Sequence, residues 1–198
     1  DKFHLDILFE NNITASETAH YISAGFYVPR NMATLSSIGI TGFDADNYSY
    51  NPPLCNHEGM LLMKSSGLDS EFVKNASTAC FNHTGTYPDR DSLIQLKPMD
   101  DDTLDRLLPY FGTVSEAIEA HDVGIRTEAD IISLENFSKN PGYSLEIGRY
   151  LNRASFGPLA LNKISPTGKI KELDHIVSAL MLTKKLDKET LRDFRPRA

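Results

Sequence analysis

Apolar residues in this 198-residue chain recur at helical spacing, and nowhere do they sustain the alternation of period two that a strand needs. Leu104, Leu107, Leu108 and Phe111 stand at i, i+3, i+4 and i+7 behind Asp100-Asp101-Asp102, whose charge suits a helix N-terminus. Pro109 is expected to kink that helix or end it early. Val114, Ala117, Ile118 and His121 repeat the spacing, and Thr127-Glu128-Ala129-Asp130 resembles a capping box opening a helix through Ile131, Leu134 and Phe137. In the first half, Thr14 or Ser16 caps a helix entering at Glu17 and ending at Gly25. Further helices are expected over 32–38, 58–63, 68–80, 144–154, 170–182 and 187–194. Residues 40–56 and 82–98, rich in Gly, Pro, Asp and Asn, read as irregular, and Asn140-Pro141-Gly142 reads as a breaker. No internal repeat is apparent. The fold class is therefore all-α, with eight to nine helices.

Length and a hydrophobic content of 40 % allow one sizeable core, so the default is a single domain over 1–198. The net charge of −7 and the scatter of the basic residues argue against nucleic acid or an anionic membrane surface as partner. Lys184-Lys185 and the stretch from Arg192 to Arg197 read as a solvated end. No apolar run approaches the roughly 20 residues that span a bilayer. Asp1 is not an initiator and no signal peptide is visible, as expected of a mature or trimmed form. Oligomeric state is not encoded in any motif.

Five N-glycosylation sequons begin at Asn12, Asn47, Asn75, Asn82 and Asn136, where chance pairing of twelve Asn with thirty Ser and Thr gives roughly two. Each needs solvated surface to carry a glycan. The excess points to secretion or a secretory-pathway lumen in a eukaryote. In that compartment Cys55 and Cys80 are expected to pair, and closing a loop of that length stabilises by roughly 3 kcal/mol. Two alternatives stay open: a functional thiol at Cys55, close to His57 and Glu58, or a zinc site from Cys55, His57, Cys80 and His83.

Glu17 with His20, and Glu172 with His175, stand at i and i+3, the pairing that carboxylate-bridged di-metal bundles place on one helix face. The bland reading of both is a surface acid beside a His. His57-Glu58 follows the Pro-rich loop and suits proton transfer if burial raises the carboxyl pKa. His121-Asp122 reads as a solvated helix end. Nucleophile-elbow, P-loop and dinucleotide-binding signatures are absent from the sequence.

Three stretches, in order, resemble the fungal haem-thiolate peroxidases, the family of chloroperoxidase and the unspecific peroxygenases. They are Ala24-Gly25-Phe26-Tyr27-Val28-Pro29-Arg30-Asn31-Met32, Glu58-Gly59-Met60, and Asn140-Pro141-Gly142-Tyr143-Ser144 leading to Arg149. The resemblance covers residues 14 to about 195 and implies a peroxidase-like helical fold around a small-molecule pocket. It also implies a distal-pocket role for Arg149 and a haem-proximal acid at Glu58. The chain departs from the family where the axial Cys falls near Ala15 or Ser16 and the distal Glu near Phe156. Without that thiolate and that acid, peroxygenase chemistry is not expected. The expectation is then a secreted enzyme without haem, acting on a small hydrophobic molecule by isomerisation, cyclisation or elimination in secondary metabolism. Arg149 would stabilise negative charge, and Glu58, His57 or His20 would move a proton. Haem held through His20 in a peroxidase with an unusual ligand is one alternative. A non-catalytic secreted binder of small ligands, or a host-interaction protein, is the other.

Overall fold

The computed structural model describes residues 2–136, 139–153, 157–159 and 161. The helices expected over 170–182 and 187–194, the Glu172–His175 pair, Phe137, Phe156 and the basic tail lie outside them. Among the described residues there are eleven α-helices, one 3-10 turn and no strand. They are α1 Lys2–Glu10, α2 Ala15–Ser23, α3 Pro29–Ser37, α4 Gly42–Tyr48, α5 His57–Ser65, α6 Ser70–Thr84, α7 Arg90–Leu96, α8 Asp101–Phe111, α9 Val114–Asp122, α10 Glu128–Glu135 and α11 Pro141–Arg153. The all-α class stands, with more and shorter helices than the eight or nine expected. The chain divides into two compact units, Asp1–Leu104 and Asp105–Ala198.

Helices α4 and α7 occupy the stretches read as irregular. Thr41 and Asp44 form a reciprocal capping box at the head of α4, and the Asp89 carboxylate accepts from Ser92 N at 2.8 Å at the head of α7. Pro141 opens α11 instead of breaking the chain, because the first helical position needs no N–H. Pro109 sits inside α8, which ends two residues later at Phe111, before the left-handed Gly112.

One junction recurs through the first unit. A helix ends in a residue with left-handed backbone, a buried aliphatic residue follows, and a capping residue then opens the next helix. It appears as Asn12-Ile13-Thr14 (φ +55° at Asn12), Gly39-Ile40-Thr41 (+74° at Gly39) and Gly67-Leu68-Asp69 (+69° at Gly67). In each, the aliphatic N–H reaches back to the carbonyl five residues earlier. Ile13 bonds Leu8 at 2.9 Å, Ile40 bonds Leu35 at 3.0 Å and Leu68 bonds Met63 at 3.1 Å, the Schellman pattern. A variant without the left-handed residue joins α7 to α8, where Met99 is buried and Asp100 accepts from Thr103 N. In the second unit Gly124-Ile125-Arg126-Thr127 repeats the device between α9 and α10, with Ile125 N on Ala120 O at 2.9 Å.

The caps at 14, 41, 69, 100 and 127 are thus 27 to 31 residues apart. Burial keeps the same period. Positions four and seven after the cap are buried in α4 (Ala45, Tyr48), α6 (Val73, Ala76), α8 (Leu104, Leu107) and α10 (Ile131, Leu134). The helices entering the junctions bury Met32 and Leu35, Met60 and Met63, Leu93 and Leu96, Ala117 and Ala120. Within the first unit the chain forms successive helical hairpins, with α1 on α3, α2 on α4 and α4 on α6, as in stacked-repeat proteins.

In the first unit α1 packs on α3, α2 on α4 and α4 on α6. The contact of α2 with α4 is close enough to require glycine. A Cβ on Gly42 would lie 2.3 Å from the carbonyl oxygen of Glu17. Polar staples tie each hairpin to the next. Tyr21 donates from its hydroxyl to Ile40 O at 2.5 Å, and Tyr48 to Leu68 O at 2.9 Å. In return, Lys64 donates to Gly39 O, and Lys97 to Gly67 O at 2.7 Å. Ser70 adds a link by donating to Asp44 Oδ1 at 2.7 Å while accepting from Asn47 Nδ2 at 3.4 Å.

In the second unit α11 packs on α9 and α10. Asp130 closes the head of α10 by accepting from Arg126 N, Thr127 N and the Thr127 hydroxyl.

The expected disulfide is not formed. Cys80 is fully buried on α6, whereas the Cys55 thiol points to Ala24 O at 3.5 Å, and both are free. Burial raises both pKa values, Cys80 to about 12, so neither thiol has the thiolate character that nucleophilic or redox chemistry uses.

Candidate functional site

The groove with the most developed chemistry lies within the first unit, where α4 and its trailing loop face α6. Asp46, Tyr50, Phe81, Asn82 and Tyr87 are among the residues lining its volume of about 420 Å³. Each wall is fixed by the hairpin architecture. Asp46 and Tyr50 sit on α4 and just beyond it, and Phe81 and Asn82 lie on the last turn of α6. Tyr87 follows the left-handed Gly85 that ends α6, and its ring stacks on Phe81 with centroids 4.6 Å apart and planes 15° from parallel. The Lys74 ammonium lies 4.6 Å from the Tyr50 ring centroid. Beneath, buried Asn51 donates to both Ser77 Oγ (3.1 Å) and Pro88 O (2.9 Å), tying the end of α4 to α6 and to the Tyr87 loop. Its Oδ1 is the one buried side-chain polar atom without a partner among the described residues.

His20 stands beside this groove. Its Nδ1 lies 3.2 Å from Asp46 Oδ2, and its ring meets Phe43 edge-on at 5.9 Å. A carboxylate on Nδ1 fixes the ring and favours the tautomer that leaves Nε2 outward. Neither side chain is deeply buried, at 39 % exposed for His20 and 31 % for Asp46.

The other sequence candidates are placed differently. His57 and Glu58 are exposed on the first turn of α5, and no hydrogen bond or ion pair joins them to His20. Glu17, three residues before His20, accepts from Thr14 N in the capping box, so that pairing serves the helix end. Arg149 belongs to the second unit. Its guanidinium chelates Glu119 through Nε and through Nη2 (2.7 Å to Oε2) on the outer face of α11. The Arg149 bond holds the Glu119 carboxyl below its usual range, and Glu119 in turn raises the guanidinium. This is an exposed bidentate pair. Ala15 and Ser16, where the family resemblance would place the axial ligand, form the first turn of α2.

Among the described residues no cluster of three His, Cys, Asp or Glu side chains is placed to hold a metal ion. The surroundings of His20 do not fit a porphyrin. The ring lies at the surface against Phe43, itself 57 % exposed, and Tyr21, the buried residue of α2, is committed to Ile40.

Of the sequon asparagines, Asn12, Asn75, Asn82 and Asn136 are exposed. Asn47 is 2 % exposed and bonded to Ser70, so it does not meet the surface condition. Asn12 and Thr14 carry a backbone role as well: Asn12 supplies the left-handed turn and Thr14 the cap. Sequence reasoning missed Asp46, Tyr50, Phe81 and Tyr87. Their signal was the 27-residue recurrence, which sets α4 beside α2 and α6 beside α4.

No family model, curated protein or solved structure matches the chain. Among the described residues no helix is long and apolar enough to cross a membrane.

Proposed function

We propose that this chain is a non-catalytic recognition module of the secretory pathway, a helical-hairpin scaffold holding a small molecule in the groove between α4 and α6. The carrying observation is the groove itself. Its aromatic wall of Phe81 and Tyr87 is preorganised by stacking, Asp46 supplies a polar acceptor, and Asn51 braces both sides from below. Such a wall suits the flat apolar face of a ligand, and the carboxylate suits a donor at its edge. The exposed sequons at Asn12, Asn75 and Asn82 support the secretory part of the reading.

Calorimetric or NMR titration with a panel of small aromatic ligands tests it. Saturable binding is expected, with the ligand recovered unchanged, and Tyr87→Ala is expected to weaken it several-fold, as loss of an aromatic contact of about 0.5–1.5 kcal/mol implies. Absence of saturable binding across the panel overturns the reading. A second reading, acid–base catalysis, draws on the His20–Asp46 pair. It requires product formation that disappears in His20→Asn while ligand binding persists.

A further inference from the structure

The hydrogen bonds around the groove between α4 and α6 run in one direction, and a ligand has to meet it. The Ser49 hydroxyl donates to Asp46 O at 2.6 Å, and the Thr78 hydroxyl donates to Lys74 O at 2.7 Å. Both protons are spent on helix carbonyls, so what each oxygen can offer a ligand is a lone pair. An ionised carboxylate is likewise an acceptor only. Asp46 Oδ2 meets His20 Nδ1, which fixes the carboxylate, and Oδ1 has no partner among the described residues. Asp46 is also the one charged side chain among the described residues lining the groove. The aromatic faces carry the same sign, since the face of a ring is the negative end of its quadrupole. The chain's own Lys74 ammonium answers to that attraction, 4.6 Å from the centroid of the Tyr50 ring.

We infer that the ligand of this groove is an organic cation, a protonated amine carried on a flat aromatic body. The inference rests on the reading of the groove as a small-molecule site and names the class of molecule it takes. An ammonium brings three N–H donors and no acceptor, the complement of a carboxylate beside two hydroxyl lone pairs. Lys74 covers Tyr50, so the wall left for the apolar body is the stacked pair of Phe81 and Tyr87. An anion of the same shape meets Asp46 and the ring faces, with no Lys or Arg among the described lining residues to receive it. A neutral molecule keeps the aromatic wall but forgoes the charge-assisted bonds. The groove therefore ranks one shape by its charge: cation, then neutral, then anion.

The test titrates the full chain at neutral pH with tryptamine, tryptophol and indole-3-acetate, which carry one ring system with a positive, a neutral and a negative side chain. Tryptamine is expected to bind about tenfold more tightly than tryptophol, the scale of hydrogen bonds to a charged group, and indole-3-acetate more weakly than either. Added salt should weaken tryptamine and leave tryptophol unmoved. Asp46→Asn should bring tryptamine down to the level of tryptophol, while persisting tryptophol binding shows that the groove is still formed. Tryptophol binding as tightly as tryptamine overturns the inference and leaves the small-molecule reading standing. Tryptamine binding undiminished in Asp46→Asn also overturns it, because the amine then lies elsewhere. No saturable binding by any of the three overturns the inference together with the reading beneath it.

Discussion

Replacing Tyr48 by Phe removes one oxygen from the seam between the second and third hairpins and leaves the ring in place, so no cavity forms. The hydroxyl donates to Leu68 O at 2.9 Å, and Tyr48 is 2 % exposed. Its loss deprives a buried carbonyl of a donor, at a cost of about 1–3 kcal/mol. Tyr21, fully buried and bonded to Ile40 O, carries the same expectation one seam earlier. The two bonds have no shared partner, so the double variant should lose roughly 2–6 kcal/mol, a large part of the stability of an ordinary domain. The hydroxyls also titrate. Burial, then the charge of Glu17, pushes Tyr21 up to about 12, and burial, then Asp44 and Asp69, pushes Tyr48 up to about 12. The unfolded chain releases these protons near pH 10, so the folded state binds them more tightly. The resulting stabilisation is complete below pH 10 and is lost as pH rises from 10 towards 12, by up to about 2–3 kcal/mol per tyrosine. Urea unfolding followed by far-UV circular dichroism between pH 8 and 11.5 reads both effects. The Phe variants should start lower at pH 8 and fall less steeply above pH 10. If Tyr48→Phe keeps the wild-type midpoint at pH 8 and the same alkaline slope, the hydroxyls do not hold the hairpins together.

Gly42→Ala would drive a methyl into the Glu17 backbone, which cannot swing aside as a side chain can; a loss of about 1–3 kcal/mol or more in urea is expected, against a few tenths if the contact is soft. A thiol reagent applied without reductant should count two thiols per chain in denaturant and label Cys55 before Cys80 in the folded protein; no thiols in denaturant would mean a bridge. Expressed through a eukaryotic secretory pathway, the folded protein should carry glycan at Asn12, Asn75 or Asn82 but not at Asn47, and peptide mass spectrometry giving high occupancy at Asn47 would contradict its burial. Arg149→Ala breaks only an exposed ion pair, so it should leave the unfolding midpoint and any ligand affinity unchanged, and a loss of affinity would return Arg149 to the site.

Helices α8, α9 and α10 were legible because apolar residues recur along them at helical spacing, in α8 over two full turns from Leu104 to Phe111. The short helices α4 and α7 were not, at seven residues each, because Gly42-Phe43-Asp44 and Asp89-Arg90-Asp91 look like turns until the caps are weighed. Thr41 with Asp44 three residues on was a sufficient signal, the same one that Thr127 with Asp130 supplied further along. The hairpin repeat was hidden for another reason. It is conserved in backbone conformation, not in residue identity: Asn12, Gly39, Gly67 and Gly124 share a positive φ, while Pro98-Met99 replaces the device before α8. Literal recurrence is confined to dipeptides, Ile-Thr at 13–14 and 40–41 and Gly-Ile at 39–40 and 124–125.

The site followed from the repeat, so it was hidden with it. A search along the helix for a partner to His20 finds Glu17 three residues back, but Glu17 is held by the cap it completes. The partner that the fold supplies is Asp46, 26 residues on, because one repeat length carries the chain from α2 to the neighbouring α4. A spacing close to the repeat period links side chains on adjacent hairpins much as a spacing of three or four links them within one helix. The same rule brings Asn51 to Ser77, 26 residues away, and Asp44 to Ser70 at the same interval. Any ligand that bridges the walls of this groove must therefore contact residues about one repeat apart. Paired substitutions at about that interval, such as Tyr50 with Thr78 or Pro52 with Phe81, should then prove coupled in binding, whereas pairs chosen within one helix should add independently.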